Sequence, residues 1–204
     1  MATSSGTIAI LPLQRRPRGV GLAASLIALS LGLALAAGSI AQFPAQARSP
    51  VLASAVGQVI SAPLPMQYFC ARHPAECRAS RSTQMVLTDR VIRLLQQVNT
   101  DINSSIRPLR NPPGGWKIYP LAGDCNDYAL TKRSALIRLG FPAGALRIAV
   151  TKTRLGEAHA ILVIKTDIGD LVLDNLSPDV KSLRNSGYTL RMMSGPNPQR
   201  WVRI

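Results

Sequence analysis

One short stretch constrains this chain more than any other, because it places a cysteine at the start of a predicted helix. It is Gly-Asp-Cys-Asn-Asp-Tyr at 123–128, and apolar residues at helical spacing follow it up to Gly140. Asp124 is a suitable N-cap, since its carboxylate can accept hydrogen bonds from the free amides of the first turn. These amides and the positive end of the helix dipole favour a thiolate at Cys125. The stretch therefore predicts a nucleophile, which also needs a base.

A histidine that could be this base lies near the start of a strand-like apolar run at 157–164. The chain has only two histidines, and His159 is one of them. Turn residues and a second apolar run ending at Asp174 follow, so the two runs predict a β-hairpin. A loop with an even number of residues, such as 166–169, places Asp174 on the sheet face of His159, whereas an odd loop separates them. We favour the even loop, because it supplies a nucleophile, a base and a carboxylate that orients the base.

Three short motifs, in this order along the chain, resemble those of the bacterial transglutaminase-like cysteine peptidases. They are Gly-Asp-Cys-Asn-Asp-Tyr-Ala at 123–129, Gly-Glu-Ala-His-Ala at 156–160 and Gly-Asp-Leu-Val-Leu-Asp-Asn-Leu at 169–176. The resemblance covers about residues 63–204. It implies an α+β fold of the papain-like or transglutaminase-like kind, with helices packed on an antiparallel sheet. It also implies Cys125 as nucleophile, His159 as general base and Asp174 as the partner of the base.

The same resemblance suggests an ion and partners. Some members of the family are periplasmic proteases that cut surface adhesins and depend on calcium held by acidic residues around the cysteine. The candidate ligands here are Asp124, Asn126 and Asp127; Asn126 stands where the family usually has glutamate, which removes one negative charge. The resemblance thus implies a protein substrate in the cell envelope and a regulatory protein of the inner membrane. No cofactor is required for the chemistry, and calcium is the candidate ion.

Residues 1–47 are predicted to be a signal peptide. Three arginines between 15 and 18 form a basic start, an uncharged apolar run covers 20–37, and Ala-Gln-Ala at 45–47 is a small-residue cleavage pattern. The apolar run is about 18 residues long, so an uncleaved membrane anchor is the alternative. Either outcome predicts that the remainder of the chain is periplasmic.

Two segments are predicted after the leader. Residues 48–83 form an N-terminal arm with a cysteine loop, and residues 84–204 form the peptidase domain. The small apolar residues of 48–62 have no clear period and predict a weakly ordered arm. Prolines argue against a long regular element in 63–77.

The cysteine loop contains two of the three cysteines of the chain. Export to an oxidising compartment favours a disulfide between Cys70 and Cys77. This pairing leaves Cys125 as the free thiol. A metal site of Cys70, His73 and Cys77 is the alternative, although it lacks an obvious fourth ligand nearby.

Further elements are predicted around the three motifs. They are a helix at 88–102 capped by Thr88, strands at 145–152, 188–193 and 200–204, and a polar loop at 175–187. The His159 strand is apolar on both faces and should lie in the middle of the sheet. A long loop at 104–122 brings Trp116 and Tyr119 close to the cysteine. Both could line a substrate cleft, and a cover over the core is the alternative for both.

The charge of the chain limits its partners. The formal net charge is +14, but the basic residues are scattered and aromatic residues are few, which disfavours a nucleic-acid groove. A basic surface suits an acidic substrate or an anionic envelope surface. The leading hypothesis is an exported cysteine peptidase that hydrolyses peptide bonds of an envelope or surface protein. Acyl transfer to an amine and a non-catalytic binding module are the alternatives.

Overall fold

The structure is a computed structural model. It describes residues 57–110, 112 and 115–204. The predicted signal peptide and residues 48–56 of the predicted arm lie outside the described residues, as do Asn111, Pro113 and Gly114 of the predicted long loop. Among the helices that are described, none combines the length and the hydrophobicity that a membrane span requires.

The described residues contain three α-helices and nine β-strands. In chain order they are β1 (Val59–Ser61), α1 (Leu64–Arg72), α2 (Asp89–Ser105), β2 (Arg107–Pro108), β3 (Ala122–Gly123), α3 (Cys125–Arg138), β4 (Leu146–Lys152), β5 (Ala158–Ile164), β6 (Leu171–Asp174), β7 (Ser177–Ser182), β8 (Met192–Ser194) and β9 (Arg200–Arg203). Short 3-10 turns lie at Pro74–Cys77, Ala143–Ala145 and Leu183–Asn185.

Helix α3 begins and ends where the sequence predicts. The Asp124 side chain accepts hydrogen bonds from the backbone N–H groups of Asn126 and Asp127, and the Asp127 side chain accepts one from the Asp124 N–H. This reciprocal capping box satisfies amides that the first turn leaves free. Gly140 follows the helix with a φ of +87°, a conformation that glycine adopts without strain.

Seven strands form one antiparallel sheet in the order β1-β9-β8-β4-β5-β6-β7. Strand β5 pairs on both sides and its residues from His159 onward are buried, as its two apolar faces predict. Ile164 pairs with Leu171 across the hairpin, so an even number of residues separates the strands. His159 and Asp174 therefore point to the same face. The predicted α+β class, with helices on an antiparallel sheet, is confirmed.

The main hydrophobic core lies between the helices and one face of this sheet. It includes fully buried side chains from every layer, among them Phe69, Leu95, Leu130, Leu162 and Trp201. Burial of one such side chain contributes about 1.5–3 kcal/mol. Helix α3 contacts α2 on one side and β4, β5 and β6 on the other, which fixes the position of its first turn.

The segment around the two cysteines differs from the prediction. Residues 64–72 form helix α1, because Pro65 falls in the first turn, where the missing N–H has no intrahelical partner to lose. Cys70 and Cys77 form the predicted disulfide, and the alternative metal site with His73 is therefore wrong. Both cysteines are buried in the main core.

Three predicted irregular segments contain strands instead, and one of them is the long loop at 104–122, which contains β2. Residues 59–61 of the predicted arm form β1, which pairs with β9 through Val59 and Val202. Residues 177–182 of the predicted loop form β7 at the end of the sheet. Pro178 is compatible with this position, because one side of an edge strand donates no ladder hydrogen bonds. Strand β8 begins only at Met192 rather than at 188, since Tyr188 takes part in a different contact described below.

Candidate active site

The Cys125 side chain lies at the first turn of α3 and faces a cavity of about 460 Å³, which we call the thiol cavity. Cys125 is the free cysteine of the chain and is half-buried. Gly123, just before the helix, packs closely against the Asp127 side chain because glycine has no β-carbon. A β-carbon at Gly123 would lie 2.5 Å from Asp127 Oδ2, so a larger residue there would disrupt the capping box.

His159 lines the same cavity and is held by Asp174 behind it. His159 Nε2 lies 2.8 Å from Asp174 Oδ1, and both side chains are about 95% buried. Cys125 lines this cavity with His159, and it is one of the two side chains that raise the pKa of the imidazole. Since Nε2 contacts the carboxylate, Nδ1 is the ring nitrogen available to the sulfur. The structure thus brings together three residues that are far apart in the sequence.

Tyr188 is a fourth member of this group, and sequence reasoning missed it. Its hydroxyl donates to Asp174 Oδ2 at 2.5 Å, and its ring lies 5.7 Å from the imidazole, tilted by 41°. The Leu176 N–H donates to Asp174 Oδ1 at 3.1 Å. Both carboxylate oxygens of Asp174 are therefore hydrogen-bonded, which fixes the orientation of the carboxylate toward His159.

These contacts change the proton affinities of the group. Burial opposes the charged imidazolium, but the hydrogen bond with Asp174 and the nearby Cys125 outweigh it and raise the pKa of His159 to about 9. Burial also disfavours the Asp174 carboxylate, yet the donors His159 and Tyr188 keep its pKa below the ordinary value. Burial and the neighbouring carboxylate raise the pKa of Tyr188. At neutral pH the imidazole is therefore protonated and Asp174 is ionised.

Helix α2 fixes the backbone that carries Asp174. Asn103 Nδ2 donates to the carbonyls of Asp174 and Ser177, at 2.9 and 3.2 Å. Asn99 Nδ2 donates to the carbonyls of Ser177 and Pro178, at 3.0 and 2.9 Å. The turn between β6 and β7 is thus attached to α2 by side-chain amides, which holds Asp174 in place.

A second cavity of about 480 Å³, which we call the side cavity, adjoins the thiol cavity. Thr153, Glu157 and Leu176 line both. Asp174 and Tyr188 line the side cavity, and Cys125 and His159 line the thiol cavity. An ion pair between Arg110 Nη2 and Glu157 Oε1, 2.8 Å long, connects two walls of the thiol cavity.

The two aromatic residues predicted at the substrate cleft do not line the thiol cavity. The guanidinium carbon of Arg138 lies 4.5 Å from the centre of the Tyr119 ring, at the far end of α3. Trp116 is half-buried against the main core, and its carbonyl accepts a hydrogen bond from Arg72 at 2.9 Å. Their role in a cleft remains a prediction from sequence.

The residues predicted to hold calcium do not fit that ion in this structure. Ca²⁺ requires about six to eight oxygen ligands. Both Asp127 oxygens accept backbone N–H groups, from Lys117 at 2.8 Å and from Asp124 at 3.1 Å, and Asp127 is fully buried. Asp124 Oδ1 accepts from the backbone and the side chain of Asn126. Within the described part of the chain, no group of three or more acidic, histidine or cysteine side chains is arranged to hold a metal.

The arrangement around Cys125 is suited to acyl chemistry. A thiol at a helix start that shares a cavity with an imidazole, which a buried carboxylate orients, can attack a carbonyl carbon and exchange a proton with the leaving group. The adjacent cavities leave room for a peptide segment.

Comparisons with known proteins identify a family that the sequence matches. The sequence model of a family described as bacterial transglutaminase-like cysteine proteinases matches residues 56–204. Among solved structures, calcium-bound LapG of Legionella pneumophila is similar at 25% identity, with a TM-score of 0.45, over 50% of this chain and 64% of LapG. EGTA-treated LapG is similar at 24% identity, with a TM-score of 0.47, over 56% of this chain and 68% of LapG. The chain thus spans about two thirds of LapG. No curated protein matched the sequence.

Proposed function

The chain belongs to the bacterial transglutaminase-like cysteine proteinases, and we propose that it is an exported peptidase that hydrolyses peptide bonds of an envelope or surface protein. Cys125 is the nucleophile, His159 the general acid and base, and Asp174 the residue that orients His159. The observation that carries the proposal is that Cys125 and His159 line one cavity, while Asp174 Oδ1 lies 2.8 Å from His159 Nε2.

The reaction proceeds through an acyl-enzyme. The Cys125 thiolate forms a bond to the carbonyl carbon of the substrate, and the carbonyl oxygen takes up the negative charge. The Cys125 backbone N–H, at the helix start, is positioned as one donor to this oxyanion. When the carbon–nitrogen bond breaks, protonated His159 gives its proton to the leaving amine. His159 then removes a proton from water, which attacks the thioester and releases the acid and the thiolate.

Asp174 and Tyr188 act on this reaction through His159. The Asp174 carboxylate fixes the ring so that Nδ1 faces the sulfur, and it stabilises the imidazolium. The Tyr188 hydroxyl prevents the carboxylate from rotating away. Tyr188 is therefore a positioning residue rather than a catalytic one.

Export and partners form part of the proposal. The Cys70–Cys77 disulfide supports a periplasmic location, because disulfides persist in oxidising compartments. The family resemblance supports a surface adhesin as the substrate and an inner-membrane protein as a regulator. The LapG structures are calcium-bound and EGTA-treated, but both Asp127 carboxylate oxygens and Asp124 Oδ1 here already accept N–H groups. We therefore propose hydrolysis without calcium.

The test compares a strain with the wild-type protein and a strain with Cys125→Ala. We expect at least one envelope protein to remain uncut in the variant strain, and the purified variant to lose turnover and labelling by a thiol-directed electrophile. Its unfolding temperature should match that of the wild type. A Cys125→Ala protein that still cleaves would refute the assignment. Addition of a primary amine separates the alternative chemistry, since acyl transfer would attach the amine to the substrate.

A further inference from the structure

The side cavity lies next to the group that handles the leaving amine. Thr153, Glu157 and Leu176 form walls of both cavities, so the two are contiguous. Asp174 and Tyr188 form part of the side cavity, whereas Cys125 lines only the thiol cavity. The side cavity is therefore on the Asp174 side of the His159 ring, away from the sulfur.

This placement indicates which part of a substrate would enter the side cavity, provided that the proposed function is correct. His159 must reach the nitrogen of the scissile bond to protonate it. The part of the substrate that follows the scissile bond must then extend from the Cys125 sulfur across the His159 imidazole. The next open space in that direction is the side cavity.

The walls of the side cavity offer apolar surface for a peptide. Val172 is buried at its base, while Leu155 and Leu176 are 87% and 61% exposed at its edge. A ligand that covers these exposed leucines would be stabilised by about 25 cal/mol per Å² of apolar surface that it buries. These contacts provide affinity without selecting a charge.

Three basic and three acidic side chains line the side cavity, and they differ in how they are paired. Lys152, Arg154 and Lys181 line the cavity, and none of the three makes an ion pair within the described residues.

The carboxylates of the same walls are mostly engaged. Glu157 pairs with Arg110, and Asp174 accepts from His159 and Tyr188. Asp179 is the one remaining acidic wall residue. Three unpaired cations beside one unpaired carboxylate favour an anionic group in the cavity.

We propose that the side cavity is a substrate subsite that selects an acidic side chain on the C-terminal side of the scissile bond. Aspartate or glutamate there would meet the Lys152, Arg154 and Lys181 side chains. A lysine or arginine would be repelled by the same three residues, so the subsite discriminates by sign of charge.

A peptide library with random residues on both sides of the cut tests this subsite. We expect full-length wild-type protein to release products in which Asp and Glu exceed Lys and Arg about tenfold at one position after the cut, and about threefold in 0.5 M NaCl, because salt screens exposed charges. Lys181→Glu should abolish the preference. The control Arg90→Glu, on the exposed side of α2, should retain it. Cleavage without a charge preference, or a preference that survives Lys181→Glu and Lys152→Glu, would overturn the subsite.

A binding measurement separates failure of the subsite from failure of the proposed function. If the wild type cleaves no peptide, the proposed function fails. The subsite is then decided by equilibrium binding of a fluorescent Asp-containing peptide and its Asn counterpart to Cys125→Ala. Tighter binding of the acidic peptide by about fivefold or more, lost in Lys181→Glu, supports the subsite. Equal binding of the two peptides refutes it.

Discussion

Two groups of polar side chains lie on or against helix α3, and their surroundings differ. The first, at the helix start, contains Cys125, His159 and Asp174 and borders the two cavities. The second, in the second half of the helix, contains Lys132 and Arg133, and both are almost completely buried in the core. Each group has displaced proton affinities: burial lowers the pKa of Lys132 to about 7 and that of Arg133 to about 10.

The partners of the second group explain why it is structural. Arg133 donates to the carbonyls of Glu76 and Leu146, at 2.6 and 3.2 Å. Lys132 Nζ donates to Asn99 Oδ1 at 2.8 Å. These bonds connect α3 to the disulfide loop, to β4 and to α2. A displaced pKa therefore does not identify an active site by itself.

Among the variants that test this difference between the two groups, Arg133→Met should have the largest effect, and it should lower stability. The change leaves buried carbonyls without a donor and Glu76 without its ion-pair partner, 3.6 Å away, so the free energy of unfolding should fall by about 3–5 kcal/mol. Urea denaturation measures it. The control Arg138→Met, at the exposed helix end over the Tyr119 ring, should cost about 0.5–1 kcal/mol. Equal losses for the two variants would contradict a structural role for the buried arginine.

The first group should respond to pH instead. The pKa of His159 in the folded protein, about 9, lies above its ordinary value of 6.5. Protonated His159 therefore stabilises the fold fully below about pH 6.5, and this contribution is lost as the pH rises through about 9. Turnover should fall about tenfold per pH unit above about 9, because the leaving amine loses its proton donor. Initial rates between pH 6 and 11 test this; a fall centred near 6.5 would contradict it.

Tyr188→Phe should have a smaller effect than Arg133→Met, and it should change turnover rather than the free energy of unfolding. Removal of one donor to the Asp174 carboxylate should lower kcat about fivefold with KM unchanged, since a hydrogen bond to a charged group contributes about 1.5–3 kcal/mol and Asp174 keeps two other donors. Loss of this donor should also move the basic limb of the pH profile to a higher pH. The control Tyr68→Phe, on the exposed face of α1, should change neither quantity. A variant with a full kcat and an unshifted pH profile would exclude a positioning role.

The smallest effect should come from calcium. EGTA should change the rate less than about twofold and leave the unfolding temperature unchanged, because the Asp127 oxygens already accept two backbone N–H groups. Asn126→Glu introduces the carboxylate that the family usually has at this position, so its response to EGTA is the matched comparison for the wild type. A wild-type protein that unfolds at a lower temperature in EGTA would show that the helix start binds the ion.

Local signals made much of the site predictable. The residues that cap α3 and the glycine that ends it are signals within a few consecutive residues. The even hairpin is another such signal, and it correctly places His159 and Asp174 on one face of the sheet. The Cys70–Cys77 pairing followed from the expected compartment. The roles of Cys125, His159 and Asp174 remain proposals that the variants above test.

Contacts between distant residues could not be predicted in the same way. Tyr188 lies fourteen residues after Asp174 in a stretch that resembles a strand, and nothing in its neighbours indicates that its hydroxyl returns to the carboxylate. Strand β7 is polar because it is an edge strand, which makes its composition indistinguishable from that of a loop. The buried Lys132 and Arg133 look like surface residues until the loop that contains Glu76, helix α2 and strand β4 are placed around them.

The close fit at Gly123 has a consequence for altering this protein by mutagenesis. Any side chain at Gly123 would collide with Asp127, so a randomised library should recover only glycine there among variants that fold. Leu121, two positions upstream and 91% exposed, carries no such restriction. Substitution at Leu121 should therefore cost little stability, whereas substitution at Gly123 should prevent folding.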